Sequence, residues 1–241
     1  MSIMETVIYI NVAVIGEVDR ILGNLLDRIK TSGLGEHCKE IHLVINGDRS
    51  KLTVDLSDPI YVIHHSHRDS ERYEFPAIDL LWKKAQEEDL RFLYLHTKGV
   101  GSFRPTVEDW VEYLIHFNVD RWRDRLEELD GHDCTGVNLQ GEWNPISLNS
   151  SLWDKEPLYL KVNERLYSLR HYSGNFWWSK SSHLKKLPNP YRWIPDENFR
   201  KWRIANEMWV CQIQEGEYFG AWQSGVNHYD EYYPKENYRS E

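Results

Sequence analysis

The densest chemistry in this sequence lies in residues 92–99, FLYLHTKG. A hydrophobic run delivers His96, Thr97 and Lys98 at its end, and Gly99 and Gly101 follow. Ligands of open α/β sheets bind beyond the carboxyl ends of the strands. Glycines there let the backbone approach a ligand closely, and a lysine is a point cation suited to phosphate. The string is not a Walker A loop, which needs Gly-Lys-Ser/Thr after a wider glycine spacing, and no GxGxxG is present. A dinucleotide reading therefore lacks its fingerprint. The same strand-end rule singles out Asn11, the turn Asn46-Gly47-Asp48 and the polar run HHSHRD at residues 64–69.

A second informative stretch is HYSGNFWW at residues 171–178. Ser173-Gly174-Asn175 is a tight polar turn, followed at once by Phe176, Trp177 and Trp178. Such a pairing suits a hydroxyl-rich ligand, with rings for its apolar face and Asn for its hydroxyls, although strand alternation buries part of the ring set. Glu207 stands beside Met208-Trp209. A carboxylate among aromatics can have a raised pKa and serve as a base; a solvated helix face is the commoner place for such a residue.

Metal chemistry has weaker signals. His64, His65 and His67 crowd together, but alternation along a strand leaves at most two of them for one ligand sphere. Neither HExxH nor Asp-x-Asp occurs. Asp120 and Asp124 fall inside a helix and are expected to face water.

The elements that must position these residues alternate through the first hundred positions. Residues 7–15 (VIYINVAVI) read as a buried strand. Val18, Ile21, Leu22, Leu25, Leu26 and Ile29 recur at helical spacing over 17–30, with Gly33 just beyond as a stop. Strands follow at 40–45, 60–63 and 91–95, with a helix opened by Pro76 between the last two. This rhythm predicts a mostly parallel sheet with covered faces. Thr106 and Asp109 form a capping pattern for a long helix through Leu129. Residues 134–139 read as a strand, 141–153 as a loop, and 206–214 as a last helix. No internal repeat or low-complexity linker interrupts the chain.

Composition narrows the class. With 241 residues, 41% hydrophobic and 28% charged, the chain is one sizeable α/β domain and not a disordered or fibrous one. The net charge of −9 gives no general attraction for nucleic acid. The run at 12–15 is far short of the roughly 20 apolar residues that cross a bilayer. No basic segment precedes it, so neither signal peptide nor membrane anchor is expected. Cys38, Cys134 and Cys211, odd in number and widely spaced, suggest reduced thiols and a cytoplasmic protein. The 11 Trp and 14 Tyr are the outlier; they fit either a large core or stacking platforms for sugar-like ligands.

The strings FLYLHTKG, then Trp110 on a helix, then SGNFWW at 173–178, then Asn206-Glu207-Met208-Trp209 together resemble small glycosyltransferases of bacterial polysaccharide clusters and large algal viruses. The resemblance spans residues 7–215. It implies a GT-A-like α/β fold, with a mostly parallel central sheet flanked by helices and an irregular, aromatic-rich C-terminal half. The single domain 1–241 would divide into a nucleotide-binding half (1–105), an acceptor- and sugar-binding half (106–226) and a polar tail (227–241).

It further implies transfer of a sugar from a nucleotide-sugar donor, a UDP-sugar first, to a hydroxyl of a glycan acceptor. Carried over by position, Asn11, His64 and Arg68 would lie near the nucleotide. His96, Thr97 and Lys98 fall where GT-A enzymes usually carry Asp-x-Asp, so the usual divalent metal (Mn or Mg) is left open. Lys98, helped by His96 or Arg104, would then neutralise the leaving diphosphate. Ser173, Gly174, Asn175, Trp177 and Trp178 would shape the acceptor or donor-sugar side. Glu207, or else Asp196 or His171, would take the acceptor's proton if the reaction inverts the anomeric centre. The alternative class is a carbohydrate-binding protein without turnover. A glycoside hydrolase would need two facing carboxylates, and the sequence offers one promising acid.

Overall fold

A computed structural model describes residues 4–67, 71–101, 104–141, 159–162, 165–194 and 202–239. Seven strands form the central sheet: β1 (Thr6–Ala13), β2 (Glu40–Asn46), β3 (Tyr61–His67), β4 (Arg91–His96), β5 (Cys134–Gly136), β6 (Trp177–Lys180) and β7 (Tyr218–Gly220). Their spatial order is β7-β5-β6-β4-β1-β2-β3. β1 lies parallel between β2 and β4, β2 is parallel to β3, and β7 is parallel to β5. β6 alone runs backwards, antiparallel to both β4 and β5. The protein is thus α/β with a mostly parallel seven-stranded sheet flanked by helices.

The continuous apolar run of β1 is what a strand covered on both faces requires. Ile8, Ile10 and Val12 pack with helix α1 (Val18–Thr31), helix α3 (Pro105–Ile115) and helix α4 (Trp122–Gly131). Val7 and Tyr9 pack on the other face with helix α2 (Phe75–Glu87) and residues of 184–211. Gly33, expected as a helix stop, stands at φ +77° two residues past the end of α1.

Five expectations are corrected. The strand expected at 60–63 is longer: β3 extends through His67, so His64 and His65 are strand residues rather than the polar run beyond its end. The long helix is broken by a π-turn over His116–Asp120. Asp120 there does not face water but grips Arg28 Nε at 2.5 Å. The last helix is only Ala205–Met208, continued by a 3-10 turn, Trp209–Cys211. Finally, Thr106 and Asp109 do not cap α3 with their side chains. Thr106 Oγ1 donates to Tyr229 O (3.0 Å), and Asp109 Oδ2 accepts from Tyr233 N (2.6 Å). The tail is therefore strapped along α3, with His228 and Tyr238 buried.

Candidate functional site

The chain leaves β1 for β2 and β3 on one side, then returns to β4 on the other. Such a reversal opens a crevice at the carboxyl ends of the two central strands. A cavity of about 460 Å³ occupies this place, a size usual for small-molecule sites. Asn11, Tyr73, Glu74, His96, Lys98, Arg104, Arg203, Glu207 and Tyr229 stand in its wall. Sequence reasoning had singled out Asn11, His96, Thr97, Lys98, Arg104 and Glu207, from three distant segments. The fold brings them together.

Lys98 holds its ammonium 3.7 Å from the centre of the Trp110 indole and 5.7 Å from that of Tyr229. Burial pulls its pKa below the ordinary lysine range, opposed by the carboxylates of Glu207 and Glu74. Thr97 works on the backbone. Its Oγ1 accepts from Ala13 N (3.1 Å) and its own N–H donates to Asn11 O (3.0 Å), which pins the ends of β1 and β4. Asn11 accepts through Oδ1 from Asn46 Nδ2, which also donates to Tyr73 O at 2.7 Å. That amide holds Tyr73 at φ +50°, and so sets where Glu74 begins.

Glu74 was missed from sequence. It stands at the N-cap of α2, yet its side chain makes no cap. Instead Oε2 accepts from Asn175 Nδ2 (2.6 Å), and Oε1 lies 3.5 Å from His96 Nδ1. His96 Nε2 is 3.0 Å from Gly174 O. A carbonyl only accepts, so Nε2 carries the proton and Nδ1 presents its lone pair to Glu74. Burial and the neighbouring Lys98 hold His96 neutral, its pKa pushed down to about 3. Burial, reinforced by the charge of Glu207, raises Glu74 to about 7. The only sequence signal for it was an acid just before the helix-opening Phe75-Pro76.

Glu207 is half-buried in the wall, and among the described residues no hydrogen bond or ion pair engages its carboxylate. The segment SGNFWW is placed otherwise than expected. Trp177 and Trp178 are wholly buried, their indole N–H groups donating to Asn175 Oδ1 (2.9 Å) and Asn118 O (3.0 Å). Core rings cannot stack on a sugar. Asn175 is 1% exposed and committed to Glu74, and Gly174 packs against Leu114 and Trp110. Ser173 is half-buried, its N–H held by Asn138 O at 3.0 Å. SGNFWW is thus the pocket's rear buttress rather than a ring platform.

His64 and His171 are the other corrections. His64 Nε2 meets His42 Nδ1 at 2.9 Å on the far side of β2, and neither histidine is part of the cavity wall. His171 lies in a short ribbon paired with Gln140, its Nδ1 donating to Leu169 O at 2.9 Å. It is not in the wall either. Arg68 and Asp196 lie outside the described residues.

The end of β4 presents His96, a Thr97 hydroxyl already engaged with Ala13, and the Lys98 ammonium. Among the described residues no three His, Cys, Asp or Glu side chains cluster to hold a metal ion. This donor set does not fit a cation held by the protein alone. Compared with known proteins, the chain matches no family model and no curated protein sequence.

Proposed function

We propose that this protein is a glycosyltransferase with a GT-A-like fold, moving a sugar from a nucleoside-diphosphate sugar to a glycan hydroxyl. The sheet, with its crevice between β1 and β4 and one reversed strand, is compatible with that fold. The observation that carries the reading is a charge contrast. The chain as a whole is at −9, yet the cavity wall sets Lys98, Arg104 and Arg203 against Glu74 and Glu207. Near neutral pH Glu74 is partly protonated, so this acidic protein has a cationic pocket. A neutral sugar needs no such field; a diphosphate does. The burial of Trp177 and Trp178 removes much of the support for a purely sugar-binding module.

In this mechanism the acceptor oxygen bonds to the anomeric carbon while its proton passes to a carboxylate. The bond from that carbon to the diphosphate breaks, and the leaving oxygens are neutralised by Lys98, with Arg104 or Arg203 at the rim. Glu207, without a hydrogen-bond or ion-pair partner among the described residues, is the proposed proton acceptor.

UDP and UDP-sugars are expected to raise the melting temperature, because a ligand bound only by the folded state stabilises it. Glu207→Gln should keep that shift and lose release of free nucleoside diphosphate from a donor–acceptor mixture, assayed with Mn²⁺ and with EDTA. No shift with any nucleotide at millimolar concentration would favour the sugar-binding alternative. Undiminished turnover in Glu207→Gln would take the base role away from that residue.

A further inference from the structure

The Glu74–His96 pair has no part in the reaction just described, although it forms the floor of the same cavity. Both Glu74 oxygens are fixed, one by Asn175 Nδ2 and one facing His96 Nδ1. Its side chain is 18% exposed and that of His96 14%, so the pair is largely but not wholly shielded from water. The Gly174 carbonyl takes the ring's own N–H, so Nδ1 turns its lone pair towards Glu74 Oε1. The 3.5 Å separation is beyond hydrogen-bond reach, but an ionised Glu74 sets a carboxylate oxygen against that lone pair, and protonation relieves the repulsion.

We propose that Glu74 takes up a proton when a diphosphate group binds beside Lys98, so that the pocket accepts its anion together with H⁺. This rests on the phosphate reading of the cavity. It adds a residue that sets the affinity for the anion and the form in which the anion is accepted.

The surroundings all bear on the pair. From β4 and its exit come the Tyr94 hydroxyl, His96 and Lys98. From the C-terminal segments come Arg203, Glu207 and Tyr229, and from α2 itself the positive end of the helix. Glu207 disfavours ionisation of Glu74, while Lys98 and Arg203 favour it. A diphosphate engaging those two cations screens them and adds its own negative charge. Both effects raise the proton affinity of Glu74. The Tyr94 hydroxyl, buried and without a hydrogen-bond partner among the described residues, has its pKa raised by burial and offers no competing anion.

The coupling has a simple consequence. If the anion shifts Glu74 upward by about one pKa unit, affinity falls about tenfold across the titration as pH rises. Protons taken up are counted by titration calorimetry with inorganic pyrophosphate and with UDP, at pH 7.5, in two buffers of unlike ionisation enthalpy. Wild-type protein is expected to take up a substantial fraction of a proton more than Glu74→Gln, the anion's own titration cancelling between them. Equal uptake in the two proteins overturns the proposal. Binding of neither probe to wild-type protein sinks the phosphate reading itself and, with it, the coupling.

A ligand-free control separates the two failures. Carboxyl ¹³C shifts followed from pH 5 to 9 should contain one group titrating near neutrality that is lost in Glu74→Gln. Its absence overturns the pair even if pyrophosphate binds. Glu74→Asp, which keeps the carboxyl but shortens its reach, is expected to restore part of the uptake.

Discussion

The Lys98 ammonium sits 3.7 Å from the centre of the Trp110 ring and, among the described residues, pairs with no carboxylate. A cation so placed is stabilised by the ring quadrupole yet keeps its hydrogens for a ligand. Charge-assisted hydrogen bonds are worth about 1.5–3 kcal/mol each. Lys98→Met should therefore weaken UDP binding roughly 10- to 100-fold. Without ligand its melting temperature should be unchanged or higher, because a desolvated charge has been removed. A calorimetric titration beside a ligand-free melt checks both. Unweakened binding would remove Lys98 from the site.

Trp178 behaves as core. It is 0% exposed and its Nε1–H donates to Asn118 O. Trp178→Ala should lose about 3–5 kcal/mol of stability, while the fraction still folded binds UDP as before. Urea titration with and without nucleotide separates the two effects. Loss of ligand affinity at unchanged stability would restore the ring-platform role expected from sequence.

Gly174 lies at φ +96°, and an added methyl would come within 2.7 Å of Leu114 Cδ1 and 3.2 Å of Trp110 Cζ2. Strain of this kind amounts to about 1–3 kcal/mol. Gly174→Ala should lower the urea midpoint and also weaken nucleotide binding, because the displaced carbonyl is the partner of His96. A variant of normal stability and affinity would show that the corner yields freely.

Acid should destabilise the protein from about pH 6.5 downward. His96 is depressed to about 3, and His42 and His228 to about 4, all chiefly by burial. Their folded values lie below the unfolded ones, so their contribution is complete above the unfolded pKa and is lost as pH falls. Glu74 acts oppositely: raised to about 7, it keeps a proton that the unfolded chain releases. These three histidines against that one carboxyl give unfolding an uptake of about two protons near pH 5, a slope of about 2–3 kcal/mol per pH unit, and His37, His64 and His183, also lowered by burial, act in the same direction. Urea midpoints between pH 5 and 7 check the sign. A midpoint that rises on acidification would contradict it.

The sheet's first half was legible because it is periodic. The apolar runs of β1 and β4 and the helical spacing of α1 are local signals, and the strand-end rule then finds Lys98. β6 was not legible. Trp177 and Trp178 occupy a four-residue strand whose neighbours lie far away in sequence, and aromatic side chains serve a core and a ligand face equally well. Glu74 was hidden for a related reason: its environment comes from Asn175, His96 and Glu207, none of them near it in the chain. The capping pattern misled because Thr106 and Asp109 found better partners in the tail. The histidine run misled because a polar composition concealed an edge strand.

The reversed strand has a consequence for biosynthesis. Lys98 and Trp110 emerge from the ribosome early, but Asn175 and Glu207, which complete the cavity, follow on the order of ten seconds later at ordinary elongation rates. β6 must then insert between β4 and β5, closing a long loop. A nascent chain with its first half folded would carry the lysine with Glu74 but without the Glu207 carboxylate, and a gap in the sheet where β6 belongs.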